Sequence, residues 1–124
     1  MADTELPTAD QRTELRSIVV AERERLVAQA AALDETFDEL VAAADLEPPD
    51  DEHDPDGTTA YERAQVSSLR SASHQVIVAL DAALDALDAG TYGRCAGCGE
   101  PIPFDRLEAV PGTDRCVACA AGRS

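Results

Sequence analysis

The chain has 124 residues and a mass of 13.1 kDa, which allows one compact domain or a small domain with an elongated element. It carries 10 basic and 25 acidic side chains, a formal net charge of −15. This balance disfavours direct binding of nucleic acid or of an anionic membrane, because both need an excess of basic surface. The sequence shows neither a secretory signal nor a membrane-length apolar run, and we expect a cytoplasmic protein.

The first periodic segment predicts a long amphipathic helix from Ala9 to about Ala44. Thr8 and Gln11 have the spacing of a capping box at its start, and two consecutive prolines follow its end. Residues 1–7 lie ahead of this pattern, and we expect them to be disordered. The apolar positions of the helix recur three and four residues apart. They are Leu15, Val19, Leu26, Ala30, Leu33, Phe37, Leu40 and Ala44.

A second periodic segment predicts a helix from about Thr59 to Ala89, and Gly90 suits the position just after a helix end. Two amphipathic helices of similar length can bury their apolar stripes against each other. The fold class is therefore mainly α, with a long antiparallel helical hairpin, a coiled coil, over residues 8–90. Its seam is rich in alanine, so we expect the hairpin alone to be marginally stable. The predicted seam of the second helix is Val66, Leu69, Ser73, Val76, Leu80, Ala83 and Leu87.

The segment that joins the two helices, residues 46–58, is acidic and contains prolines. Segments of this composition are most often solvated linkers. A functional interpretation gains weight from its place, because the segment would form the tip of a long hairpin that can reach into a partner. The candidate tip residues are Asp50, Asp51, Asp54 and Asp56.

Two C-x-x-C pairs, Cys95 with Cys98 and Cys116 with Cys119, fall in the last third of the chain, residues 91–124. This spacing is typical of a four-cysteine zinc finger, and one structural zinc ion would stabilise a module with little core of its own. A tetrahedron of thiolates leaves no open position for a reactive water, so we expect no enzyme activity. Disulfide pairs, a redox dithiol and an iron–sulfur cluster are the alternatives.

Further motif residues surround the cysteines. Leu87-x-x-Gly-Thr-Tyr-Gly precedes the first pair, Gly-Glu-x-Ile102 follows it, and Arg106-Leu107-x-Ala-x-Pro111 lies between the pairs. These residues resemble the DksA/TraR four-cysteine zinc-finger family of RNA polymerase-binding transcription regulators. The specific resemblance covers residues 84–119, and upstream it is architectural, because members carry a long helical hairpin ahead of the finger.

The resemblance implies a bacterial regulator whose hairpin enters the secondary channel of RNA polymerase and places an acidic tip near the catalytic centre. The best-studied members have a tip motif Asp-x-x-Asp-x-Ala, whereas this chain has Asp51-x-x-Asp54-x-Asp56 or, in another register, Asp54-Pro-Asp-Gly-Thr-Thr. Members that act with guanosine tetraphosphate use basic residues partly on the second helix, where Arg70 is the sole basic residue between Val66 and Leu87. We therefore do not expect alarmone dependence.

The expected partner is RNA polymerase, with no direct contact to nucleic acid or membrane, and we expect a monomer. The alternative is a structural helical adaptor, stabilised by zinc at its base, that binds a different protein. Apolar residues outside the predicted seams would then form a partner-facing stripe. These residues are Ile18, Val27, Val41, Ile77 and Leu84. A third possibility is a thiol sensor in which oxidation releases the metal.

Overall fold

The computed structural model describes residues 6–45 and 55–122 of the chain. Within these ranges there is no β-strand, and the sole β-bridge is an isolated antiparallel one between Arg94 and Pro101. The predicted mainly α fold class is confirmed. The helices, in chain order, are α1 (Ala9–Asp45), α2 (Pro55–Ala89), α3 (Phe104–Ala109) and α4 (Val117–Ala120).

The start of α1 follows the predicted capping box. The Gln11 backbone N–H donates to Thr8 Oγ1 at 3.2 Å, and the Thr8 backbone N–H donates to Gln11 Oε1 at 2.9 Å. These two bonds satisfy amide groups that have no partner inside the helix. The helix begins at Ala9 as predicted, and ends at Asp45, one residue beyond the predicted Ala44.

The start of α2 differs from the prediction, because the helix begins at Pro55 and not at Thr59. Proline is favoured in the first turn of a helix, where its fixed φ suits the backbone and its missing N–H costs nothing. Residues 55–58, which the prediction placed in the linker 46–58, therefore belong to α2. Residues 46–54 lie outside the described residues, and Asp56 falls in the first turn of α2.

The chain divides into two compact units. Met1–Arg25 and Val76–Ser124 form the first, which we call the cysteine unit, and Leu26–Gln75 form the second, the mid-chain unit. In the cysteine unit, Arg16 of α1 pairs with Asp88 of α2, and Arg23 pairs with Asp81. The arginine that comes later in α1 pairs with the aspartate that comes earlier in α2. The two helix segments therefore run antiparallel within this unit.

The cysteine unit has an apolar core that joins α1, α2 and the C-terminal module. Leu107 from α3 and Ile102 ahead of it are as completely buried as the helical seam residues, which ties the module to the helices. Burial of each such side chain contributes about 1.5–3 kcal/mol before the entropy cost of ordering it. The largest fully buried side chains are Leu15, Val19, Leu80, Ile102 and Leu107.

The seam of α2 differs from the predicted one at Leu69 and Val76, whereas Leu80, Ala83 and Leu87 are buried as predicted. Leu69 and Val76 are 49% and 42% exposed, whereas Arg70 and Ile77 are half-buried. From Val66 the less exposed positions follow at intervals of four and then three residues, whereas the prediction used three and then four. These positions are Val66, Arg70, Ser73, Ile77 and Leu80. The prediction placed Leu69 inside because it is apolar, and Arg70 outside because it is charged.

The prediction of disorder over residues 1–7 does not hold at the end of that segment. Pro7 is buried, and its backbone carbonyl accepts a hydrogen bond from Arg12 Nη1 at 3.1 Å. Its ring lies against Gly93, where a Cβ atom would come within 2.7 Å of Pro7 Cδ. Residues 1–5 lie outside the described residues.

Among the described residues, no helix combines the length and the apolar character that a membrane crossing requires.

Candidate zinc site

Two short turns carry the four cysteines. In the first turn the Cys95 N–H donates to the Glu100 carbonyl at 2.8 Å, and the Gly99 N–H donates back to the Cys95 carbonyl at 2.9 Å. Gly99 has a φ of +80°, which a residue with a side chain rarely adopts, so glycine allows this turn to close behind Cys98. The second pair lies at α4, where Cys116 is the N-cap residue and Cys119 follows one turn later.

The structure brings all four predicted ligands, Cys95, Cys98, Cys116 and Cys119, into one cluster. Their Sγ atoms lie within 4.8 Å of one another, and the Cys98 and Cys116 sulfur atoms are 3.9 Å apart. Zn–S bonds of about 2.3 Å in a tetrahedron place sulfur atoms about 3.8 Å apart, so the donor set fits one zinc ion. None of the four cysteines, all of which the structure describes, forms a disulfide.

Backbone amides point at the most deeply placed sulfur. Cys95 is 2% exposed, and its Sγ accepts hydrogen bonds from the N–H groups of Cys116 and Gly97, both at 3.3 Å. The Cys116 amide is the main reason that the pKa of Cys95 is lowered to about 6, against the opposing effect of burial. These amides stabilise negative charge on sulfur, which zinc binding requires.

Cys119 does not share this advantage in the protonated cluster. The neighbouring thiols, Cys95 first among them, raise the pKa of Cys119 to about 12. Four thiols this close cannot all release their protons unless a cation neutralises them. A divalent ion bound among the sulfurs supplies that charge, so zinc binding and deprotonation occur together.

Backbone contacts hold the two turns together and attach them to α2. The Ala96 N–H donates to the Asp114 carbonyl at 2.7 Å, which links the turn of the first pair to the segment before the second. The Gly112 N–H donates to the Tyr92 hydroxyl at 3.1 Å. Gly112 also lies on Leu80, whose Cδ2 would be 2.8 Å from a Cβ at that position. The core of the cysteine unit therefore continues up to the sulfur cluster.

The sequence analysis gave no role at the site to Arg106, which it named as a motif residue, and did not single out Thr113 or Arg115. Arg106 Nε donates to the Arg115 carbonyl at 2.8 Å, and the Thr113 hydroxyl accepts from the Arg115 N–H at 3.3 Å. No spacing rule assigns such residues to a metal site. The signal that the sequence did offer is that Arg115 directly precedes the ligand Cys116. The predicted tip residues Asp50, Asp51 and Asp54 lie outside the described residues, and the structure does not test their grouping.

Residues 90–124 match the family model of the prokaryotic DksA/TraR C4-type zinc finger. An uncharacterized protein of Aquifex aeolicus is 38% identical over 64 residues, which are 52% of this chain and 44% of that protein. General stress protein 16O of Bacillus subtilis is 36% identical over 55 residues, 44% of this chain and 34% of that protein. The RNA polymerase-binding transcription factor DksA of Haemophilus influenzae is 38% identical over 50 residues, 40% of this chain and 34% of its own length.

The matched segments thus span less than half the length of these curated relatives. A comparison of structures extends further along the chain. The structure of transcription factor DksA2 from Pseudomonas aeruginosa superposes with a TM-score of 0.73 at 24% identity, and it covers 91% of this chain and 82% of that one. At this identity the likeness shows the fold. The zinc cofactor is confirmed by the C4 finger and the clustered sulfurs, and so is the resemblance that the sequence indicated: residues 90–124 are a zinc finger of the DksA/TraR family, in a chain with the fold of a DksA protein.

Proposed function

We propose that this protein is a transcription regulator that binds RNA polymerase through its secondary channel, with the acidic segment between α1 and α2 as its effector. The observation that carries the proposal is the combination of a DksA/TraR zinc finger with a DksA fold over most of the chain. One relative of this chain is named for binding RNA polymerase. The proposal assigns the same partner here.

In this function the zinc ion has a structural role, with Cys95, Cys98, Cys116 and Cys119 as its ligands. When bound, it cross-links the two C-x-x-C turns and holds the deprotonated sulfurs together. The protein's own residues do the rest: Gly112 packs against Leu80 of α2, and Leu107 and Ile102 bury the module against the core. The finger would thereby fix the base of the two long helices.

The distribution of charge supports a protein partner over DNA. Residues 91–124 hold four arginines and four acidic residues, so residues 1–90 carry the whole formal charge of −15. A finger without net positive charge is a poor reader of phosphate backbone. The residues between the two long helices supply carboxylates at high density, and these suit a basic surface or a channel that contains divalent cations.

Binding is tested first, with purified RNA polymerase from the same host and the full, zinc-loaded chain at low salt. We expect the protein to co-migrate with polymerase on a native gel. It should also be displaced by a second protein that occupies the secondary channel. Absence of co-migration would contradict the proposal as a whole. Co-migration without competition would leave polymerase as the partner and overturn the choice of channel.

The effector role is tested with the triple variant Asp51→Asn, Asp54→Asn and Asp56→Asn. We expect it to bind polymerase with an affinity within about threefold of the parent protein, and to lose the effect on the lifetime of promoter complexes. The matched control removes the same charge from exposed positions elsewhere, with Glu24→Gln, Glu35→Gln and Asp85→Asn. If both triple variants act alike, overall charge and not the acidic segment carries the effect.

The adaptor alternative receives partial support from exposure. Val27 and Val41 of its proposed stripe are 41% and 37% exposed, whereas Ile18, Ile77 and Leu84 are half-buried. An adaptor that used this stripe would need these last three side chains to turn outward. Sedimentation equilibrium separates the two cases, because a stable dimer of the zinc-loaded chain would favour the adaptor and a monomer favours the regulator.

A further inference from the structure

Gly97 lies in a crowded space beside the sulfur cluster. A Cβ atom at this position would be 2.9 Å from Cys119 Sγ and 3.0 Å from Arg115 Nη1. The sulfur and the guanidinium therefore approach the same point over the Gly97 backbone, and they are no more than about 6 Å apart. At that separation a positive charge still interacts measurably with a thiolate at the protein surface.

The backbone of Arg115 is fixed from two sides. Its N–H donates to Thr113 Oγ1 at 3.3 Å, and the Thr113 hydroxyl donates to its carbonyl at 3.1 Å. The same carbonyl accepts a hydrogen bond from Arg106 Nε at 2.8 Å. These contacts define the direction in which the Arg115 side chain leaves the loop. Among the described residues, the ion pairs do not include this guanidinium.

The charge of the filled site makes this placement significant. Four thiolates around one Zn²⁺ carry a formal net charge of about −2, which backbone amides offset only in part. The amides of Gly97 and Cys116 donate to the Cys95 sulfur, and the Glu100 amide acts on Cys98. The guanidinium of Arg115 lies on the side of Cys119, on which none of these amides acts.

We infer that Arg115 is a charge-compensating residue of the zinc site, whose guanidinium stabilises the zinc-bound thiolates from the side of Cys119 and raises the affinity for the metal. Arginine suits this role because it remains charged at all relevant pH values and is weakly hydrated. Gly97 is the complementary half of the arrangement, since a side chain there would separate the guanidinium from the sulfur. The inference concerns the zinc site alone and does not depend on polymerase binding.

The test compares zinc retention of full-length variants in competition with a chromophoric chelator at about 50 mM salt. We expect Arg115→Gln to raise the zinc dissociation constant about tenfold, the usual scale for loss of a residue that supports metal ligands. Arg115→Lys keeps the charge and should stay within about threefold of the parent. Arg25→Gln removes an equal charge from an exposed position on α1 and should leave zinc affinity unchanged.

Salt distinguishes a charge effect from a packing effect. Because the guanidinium is exposed, its contribution should be screened, and the deficit of Arg115→Gln should shrink at about 1 M salt. A deficit that salt does not change, or one that Arg115→Lys shares, would show a packing role and overturn the inference. Equal affinities of Arg115→Gln and Arg25→Gln would overturn it as well. If Arg115→Gln does not fold, the lysine variant decides, with normal zinc retention as the supporting result.

Discussion

The two units of this protein are stabilised in different ways. The cysteine unit contains the largest fully buried side chains, and its sulfur cluster adds a metal cross-link. The mid-chain unit buries only Leu26, Ala30 and Ser73 among its described residues. Apolar burial is the main favourable contribution to folding, so local stability should be high in the first unit and low in the second.

The mid-chain unit replaces part of an apolar seam with a polar cluster. Arg70 Nε donates to Asp34 Oδ1 at 2.7 Å, and the guanidinium lies 4.4 Å from the centroid of the Phe37 ring. His74 Nε2 is 3.8 Å from the same carboxylate oxygen. Polar groups in a helical seam contribute little stability, but they favour the one register in which they are paired. Register in this unit therefore depends on charge more than on burial.

Of the changes considered, removal of zinc should alter the difference in local stability between the two units the most. A structural zinc ion contributes on the order of 10 kcal/mol to the folding of a small module. We expect a strong chelator to abolish amide protection in residues 91–122, and to lower the melting temperature of the cysteine unit far more than that of the mid-chain unit. Hydrogen exchange with detection by peptide measures both. Unchanged protection around the cysteines after the metal is lost would contradict a structural role for zinc.

Truncation of a leucine to alanine should lower the free energy of unfolding by several kcal/mol more in the cysteine unit than in the mid-chain unit. Leu80 is completely buried, and Leu80→Ala should lower the free energy of unfolding by about 2–5 kcal/mol, through lost burial and the cavity that remains. Leu69 is 49% exposed on the same helix, and Leu69→Ala should change it by less than about 0.5 kcal/mol. Urea unfolding followed by circular dichroism compares the two. Equal losses of stability would show that Leu69 is buried in the seam, as the sequence predicted.

Substitution of Gly112, at the junction between the zinc finger and α2, should reduce the free energy of unfolding by an intermediate amount. Its φ is +86°, and a Cβ there would be 2.8 Å from Leu80 Cδ2, so Gly112→Ala combines backbone strain with a steric overlap. We expect a loss of about 1–3 kcal/mol. Gly122→Ala is the matched control, because Gly122 has a φ of +91° but no heavy atom within 4 Å. If the two variants unfold at the same denaturant concentration, the contact with Leu80 contributes nothing.

The cysteine unit was the more predictable from sequence. The C-x-x-C spacing specifies the metal site directly, since a tetrahedral ion constrains where four sulfurs can lie. The capping box at Thr8 and Gln11 likewise specifies the start of α1 through local hydrogen bonds. These features depend on residues close in sequence or on a metal of known geometry, and neither requires knowledge of tertiary packing.

The seam of α2 was less predictable, because two heptad patterns that share Val66, Ser73 and Leu80 compete in this segment. A count of apolar side chains selects Leu69, whereas the structure half-buries Arg70. An arginine can cover apolar surface with its aliphatic stem while its guanidinium pairs with a carboxylate and a ring. The pairing with Asp34 joins residues that are far apart in sequence, so no local pattern indicates it.

The ion pair of Arg70 and Asp34 should give the smallest effect, visible as a pH dependence. The hydrogen bond from Arg70 lowers the pKa of Asp34 below its ordinary value of 3.8. The pair therefore contributes stability above that value, and the contribution is lost as the pH falls through the lower pKa of the folded state. Asp34→Asn should reduce the melting temperature slightly at neutral pH, and the difference should vanish under strongly acidic conditions.

The matched control for this ion pair is Asp38→Asn, which removes an exposed carboxylate of the same helix. In a chain with a net charge of −15, loss of any carboxylate relieves repulsion, so the control should raise the melting temperature slightly at neutral pH. Opposite signs for the two variants would separate pairing from general repulsion. If Asp34→Asn also stabilised the protein, repulsion would outweigh the pair, and the register of the mid-chain unit would depend on its few buried side chains after all.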